Sequence, residues 1–173
     1  MSTADITLNL PDEAATDALG NRLAERIHAS INQSKSIEIS NLENGCGALI
    51  YLRGELGAGK TALVRALLRA CGVTGRIKSP SYALLESYKV SSLYFYHIDF
   101  YRFSDSSEWQ DAGFRDLFRP DAVILIEWPE KAADQLPVPD VLIELSYAEP
   151  GRIARLEAHT KRGATWLTAL KMS

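Results

Sequence analysis

The residues best suited to do chemistry lie in one octapeptide, GELGAGKT, from Gly54 to Thr61. It fits the pattern G-x-x-x-x-G-K-[ST], a loop whose backbone amides enclose phosphate oxygens. Glycines at 54, 57 and 59 let the chain turn successive N–H groups inward, through conformations that a Cβ disfavours. A helix opening at Lys60 aims its unpaired N–H groups and dipole at the same anion. Lys60 is expected to reach the β/γ-phosphates and the Thr61 hydroxyl to ligate Mg²⁺. Gly57, Ala58, Gly59, Lys60, Thr61 and Ala62 are therefore candidate nucleotide contacts. Isolated, such a loop can be only a glycine-rich turn. Here it follows a predicted strand and opens a predicted helix, as its mechanism needs.

A phosphate loop also needs an acid for Mg²⁺, usually at the end of a neighbouring apolar strand. Glu127 ends VILIE and Asp99 ends LYFYHID. Glu127 is assigned to the metal side with Thr61. Asp99 is assigned to the attacking water or to a water of the metal. The sequence leaves the reverse assignment open. Lys60, Asp99 and Glu127 thus form the candidate catalytic set, and Thr61 and Glu127 the candidate metal pair.

Other residues carry weaker signals. His97 shares a strand face with Asp99, fit to orient it, to meet the γ-phosphate region or simply to fill the core. Arg102 reads as a surface ion-pair residue or an internal arginine finger. Trp128, on a strand continuing past Glu127, would point to the opposite face, as core or as a partner platform. Ser79-Pro80-Ser81-Tyr82 is a turn where P-loop enzymes often place a switch. Arg65, Arg69, Arg76 and Lys78 make a modest basic stripe, most simply a solvated face.

The elements that must position these residues follow from periodicity. Leu19, Leu23, Ile27 and Ile31 predict an amphipathic helix over 12–31, with Pro11 and Asp12 at its start. The stretch 32–47 is polar, a loop with a short apolar alternation at Ile37 and Ile39. ALIYLRG (48–54) is a buried strand, TALVRALLRAC (61–71) a helix stopped by Gly72. Strands at 82–90 and 93–99 form a hairpin candidate. Short helical pieces occupy 104–119. AVILIE (122–127) is a strand buried on both faces. Strands at 141–147 and 153–159 alternate as an antiparallel pair around Pro150-Gly151, and 165–172 closes as a helix.

Composition sets the frame. With 173 residues the chain is expected to form a single domain, 1–173, with a substantial core. Nineteen basic against 22 acidic side chains give a net charge of −3, which speaks against unassisted nucleic-acid binding. Cys46 and Cys71 form no CxxC pair and read as free thiols of a reducing compartment. No apolar run is long enough to span a bilayer. The N-terminus, carrying Asp5 and no basic run, does not read as a signal peptide. A cytoplasmic protein is expected.

The motifs together resemble a known family. GELGAGKT, SPSY at 79–82, HIDFYR at 97–102 and IEWPE at 126–130 occur in the order and rough spacing of the TsaE (YjeE) proteins, from about Pro11 to about His159. The resemblance implies an α/β, P-loop NTPase-like three-layer fold with a mixed central sheet. It implies a Mg²⁺-dependent ATPase, weak when isolated, serving N6-threonylcarbamoyladenosine (t6A) formation in tRNA. Its partners would be TsaD and TsaB, with tRNA met indirectly through that complex. In such proteins Lys60 and Thr61 match the nucleotide and Mg²⁺ residues, Glu127 the second metal contact, Asp99 a residue needed for activity, and Trp128 a functional aromatic. The chain departs from the family at Ala62, where a second threonine is common. It departs also at Ser81, often Thr, and over 32–47, which is longer than usual. A small-molecule kinase, with Arg115 and Arg119 as the only hint of a lid, and a nucleotide-gated binding module are the alternatives.

Overall fold

The computed structural model describes residues 4–34, 42–105, 107–111, 113–132 and 135–172. Seven strands are β1 (Asp5–Leu10), β2 (Ala48–Arg53), β3 (Leu85–Val90), β4 (Leu93–Asp99), β5 (Ala122–Glu127), β6 (Val141–Tyr147) and β7 (Arg152–Ala158). They form one sheet in the order β1-β7-β6-β2-β5-β4-β3. The four inner strands β6, β2, β5 and β4 run parallel. Antiparallel pairing adds β3 at one side and β7 with β1 at the other.

The sequence accounts for this order. ALIYL and AVILIE are continuous apolar runs, which suit only strands covered on both faces, and every residue of β5 is buried. The strands with polar alternation, β3 at the edge and β6 between β2 and antiparallel β7, show alternating burial. The hairpin around Ser91-Ser92 forms as expected, with Ser91 at φ 56°.

One face is covered by three helices, α1 (Glu13–Ser34), α2 (Lys60–Ala70) and α4 (Lys161–Lys171). Leu19, Leu23 and Ile27 of α1 interlock there with Leu63, Leu67 and Leu68 of α2. A Cβ on Gly20 would stand 2.7 Å from that of Ala66, so this glycine sets how closely α1 and α2 approach. The other face is covered by the segment after β4, with a single helical turn, α3 (Glu108–Asp111), and a 3₁₀ turn at Phe114–Leu117. Phe100, Phe103, Trp109 and Phe114 pack ring against ring on it, with centroids 4.6–6.2 Å apart. The result is the expected α/β three-layer arrangement on a mixed sheet.

Three elements differ from expectation. The first hairpin strand starts at Leu85 rather than Tyr82, because Leu84 takes φ 66° and ends a turn there. The segment Asp5–Leu10 forms β1, whose DITLNL alternation was not read as a strand. The last helix starts at Lys161 rather than Thr165, because the Thr160 hydroxyl accepts from Gly163 N and caps it. The Ile37/Ile39 alternation lies outside the described residues.

Candidate functional site

Parallel strands deliver their C-terminal ends to one edge of the sheet. The register pairs Leu52 with Glu127 and Asp99 with Glu127, so the loop after β2 and both candidate acids emerge side by side. The loop itself carries Gly54, Gly57 and Gly59 at φ 147°, 82° and 106°. Gly59 is the N-cap of α2, in the left-handed region. A Cβ there would stand 1.4 Å from Nη1 of Arg152, the movable end of a long side chain, so it is the backbone conformation that requires glycine.

Glu127 is buried, and its carboxylate is the centre of the site. The Thr61 hydroxyl donates to it, 2.9 Å from Oε1 and 3.1 Å from Oε2. His97, fully buried, sets Nε2 3.0 Å from Oε2. Two cis oxygen ligands of an octahedral Mg²⁺, each about 2.1 Å from the ion, stand about 2.9–3.0 Å apart. The spacing of Thr61 Oγ1 and Glu127 Oε1 matches that edge, so this pair fits a shared magnesium ion. Among the described residues no group of three His, Cys, Asp or Glu side chains could hold a metal. Mg²⁺ commonly takes only one or two protein ligands, with phosphate and water completing its shell.

Lys60 is buried beside this pair. Its ammonium donates to the carbonyls of Gly54, at 2.5 Å, and Glu55, at 2.8 Å. It also lies 4.4 Å from the centre of the Trp128 ring. Burial lowers its pKa from the ordinary value, against the opposing charges of Glu127, Asp99 and Glu130. Asp99 is buried at the end of β4, where Oδ1 accepts from Tyr101 N at 2.8 Å. Burial raises its pKa, the Tyr101 amide opposes that, and the nearby Glu127 charge adds to the rise.

Three readings of individual residues change. Trp128 does not continue the strand to the opposite face: it takes φ 57° and ψ 48°, ending β5, and its ring turns over Lys60 with Tyr101 5.0 Å away. His97 hydrogen-bonds Glu127 rather than Asp99. Arg102 is exposed; its Nε donates to Ser81 O at 2.9 Å and its guanidinium stacks 4.3 Å from the Tyr82 ring. It ties the 79–82 turn to the segment after β4. Arg119, one half of the lid hint, pairs with Asp121 and stacks on Tyr94, at the far end of β4 from Asp99.

Tyr147 and Arg152 were not singled out from sequence. Tyr147 donates its hydroxyl to Leu56 O at 2.8 Å, and Arg152 covers Gly59. They flank the turn between β6 and β7. Only the parallel pairing of β6 with β2 brings that turn to the phosphate loop, and no local motif announces it. A cavity of about 580 Å³ opens next to the loop, lined among others by Leu10, Pro11, Glu13, Ala62, Arg65 and Arg152. Arg65 and Arg69, read as a solvated stripe, form part of its wall.

The family model for "Threonylcarbamoyl adenosine biosynthesis protein TsaE" matches residues 10–155. The chain belongs to the TsaE family. It is 37% identical over 164 residues to the tRNA threonylcarbamoyladenosine biosynthesis protein TsaE of Haemophilus influenzae, covering 95% of this chain and 96% of that relative. The Synechocystis TsaE is 34% identical over 136 residues, 74% of this chain and 72% of its own. The crystal structure of Bacillus subtilis YdiB superposes with a TM-score of 0.68 over 99% of this chain and 95% of that one, at 22% identity, which establishes the shared fold. No helix among the described residues is long and apolar enough to cross a membrane.

Proposed function

We propose that this TsaE-family chain is a Mg²⁺-dependent ATPase that serves t6A formation in tRNA, weak alone and coupled to a TsaD–TsaB transferase complex. The observation that carries the ATPase reading is the 2.9 Å contact of Thr61 Oγ1 with Glu127 Oε1, at the opening of α2 beside buried Lys60. The family membership supports the pathway.

The chain's own groups divide the work. The amides from Gly57 to Ala62 hold the phosphates, and the amide of Ala62 serves without the hydroxyl a second threonine would add. Lys60 exchanges the Gly54 and Glu55 carbonyls for β/γ-phosphate oxygens, while Trp128 keeps its ammonium on that side. Thr61 and Glu127 hold Mg²⁺, which when bound neutralises charge developing on the phosphate oxygens. Asp99 orients the attacking water and accepts its proton; a carboxylate with a raised pKa is the better base. The 580 Å³ cavity beside Ala62 receives the nucleoside. The 79–82 turn, tethered by Arg102, carries nucleotide state to the partner. The protein acts in the cytoplasm and meets tRNA through the complex.

Reconstituted modification tests the reading. TsaD, TsaB, threonylcarbamoyl-AMP and tRNA are incubated with ATP, with and without this protein. Multiple turnovers only in its presence are expected. Turnover indifferent to it removes the pathway assignment, and phosphate transfer to a metabolite replaces the ATPase by a kinase.

A further inference from the structure

His97 is fully buried and uses a single ring nitrogen. Nε2 lies 3.0 Å from Oε2 of Glu127, and Nδ1 is buried without a hydrogen-bond partner among the described residues. An ionised carboxylate only accepts, so Nε2 is the nitrogen that carries a hydrogen toward it. A phenylalanine would fill the same space without leaving a buried polar atom unsatisfied. The feature that an imidazole adds here is the N–H aimed at Glu127.

That carboxylate has two anchors. Thr61 donates to it from the loop side, and His97 from within the sheet, where β4 lies beside β5. The Thr61 hydroxyl has one hydrogen and a lone pair that the metal reading assigns to Mg²⁺, so its bond to Glu127 is the one that metal binding perturbs. The His97 bond is independent of the loop. It holds Oε2, which Thr61 also reaches at 3.1 Å, and Oε1 is left with Thr61 at 2.9 Å.

We propose that His97 is the positioning residue for Glu127: its Nε2–H fixes the carboxylate orientation that presents Oε1 beside Thr61, and so sets how tightly Mg²⁺ is held in the nucleotide complex. This rests on the reading of Glu127 as the metal-side acid. Such outer partners of metal ligands typically govern about 10–100-fold in metal affinity.

The test is a Mg²⁺ titration of ATP binding by calorimetry on the full chain, with ATP affinity in EDTA measured alongside. His97→Phe should raise the half-saturating Mg²⁺ concentration by about tenfold or more, with EDTA affinity unchanged. His97→Gln, whose amide nitrogen reaches the level of Nε2, should restore most of the loss. His97→Asn, whose nitrogen stops at the level of Nδ1, should not. This Gln–Asn pair carries the test if the Phe variant does not fold. Equal Mg²⁺ requirements for Gln, Asn and wild type overturn the proposal, as does a parallel loss of EDTA and Mg²⁺ binding. Glu127→Ala separates the two readings. If it shifts the Mg²⁺ requirement while the His97 variants do not, only the positioning role fails. If it shifts nothing, the metal reading of Glu127 fails and the proposal falls with it.

Discussion

Thr61 Oγ1 lies 2.9 Å from Oε1 of Glu127, across 66 residues of sequence. Three features produce that contact: a glycine loop that turns β2 directly into α2, a strand apolar up to Glu127 and buried throughout, and parallel pairing of Leu52 with Glu127. The contact joins a hydroxyl and a carboxylate at the N-terminus of a helix, where a polyphosphate is favoured by the helix end and a cation by the carboxylate.

Removing the charge of Glu127 while keeping its shape separates binding from turnover. Glu127→Gln should retain nucleotide binding in EDTA and lose ATP turnover by at least about a hundredfold, the scale of one removed electrostatic contact in a dry site. Steady-state hydrolysis with parallel calorimetry checks it. A variant hydrolysing at the wild-type rate contradicts the role.

Lys60 is the main side-chain cation of the loop. In a thermal melt, saturating Mg-ATP should raise the wild-type midpoint by several degrees and that of Lys60→Ala by less than about one degree. An unchanged ATP shift in the variant refutes the loop assignment.

Gly59 combines φ 106° with a guanidinium over its Cα. Gly59→Ala should cost about 1–2 kcal/mol in left-handed backbone strain and lose ATP binding. Adding Arg152→Ala relieves the contact but not the strain, so urea unfolding of the double variant should still show the strain cost of about 1–2 kcal/mol. Full recovery of stability would assign the effect to crowding alone.

A second buried network lies away from the site and bears on stability. Arg162 pairs with Asp140 at 2.7 Å and also donates to Asn44 Oδ1 and Cys46 O, binding α4 to the segment ahead of β2. Asp140 is 1% exposed, so Arg162→Ala leaves its carboxylate buried with, among the described residues, only Leu49 N and the Thr160 hydroxyl as donors. A loss of about 3–5 kcal/mol in urea unfolding is expected. A change below about 1 kcal/mol would show that those two donors suffice.

Burial pushes the thiols of Cys46 and Cys71 up to about 12 from 9.0, with the Asp140 charge adding to the rise at Cys46. A raised pKa favours the folded state below the ordinary thiol value and loses that contribution as pH rises from about 9 toward 12. Native protein should therefore resist alkylation at pH 8, react at both thiols once unfolded in urea, and lose stability progressively above pH 9. Rapid labelling of native protein at pH 8 would contradict the burial.

Much of this was legible in the residues. The 54–61 loop between β2 and α2, the strand-end positions of Asp99 and Glu127, the hairpin around Ser91-Ser92 and the central strands follow from motif and hydrophobic run, because each is a local constraint. Trp128 was misplaced because a strand reading extends its alternation until something stops it. Here the stop is a left-handed residue with a bulky side chain, which sequence disfavours. The partners of His97 and Arg152 were hidden for another reason. Both depend on which strands are neighbours, and periodicity within a strand is silent about the next one. The strand at Asp5–Leu10 was overlooked although ITLNL alternates, since a lone edge strand lacks the apolar run that marks a central one.

The central claim is that Thr61 and Glu127 share one divalent cation on a nucleotide held by the loop. Crystals grown with Mn²⁺ and a non-hydrolysable ATP analogue test it through the anomalous signal of manganese. A single peak is expected between Thr61 Oγ1 and a Glu127 oxygen, next to the analogue's terminal phosphates. A peak on Asp99 with Glu127 turned away, or a loop that takes up no nucleotide, would contradict it.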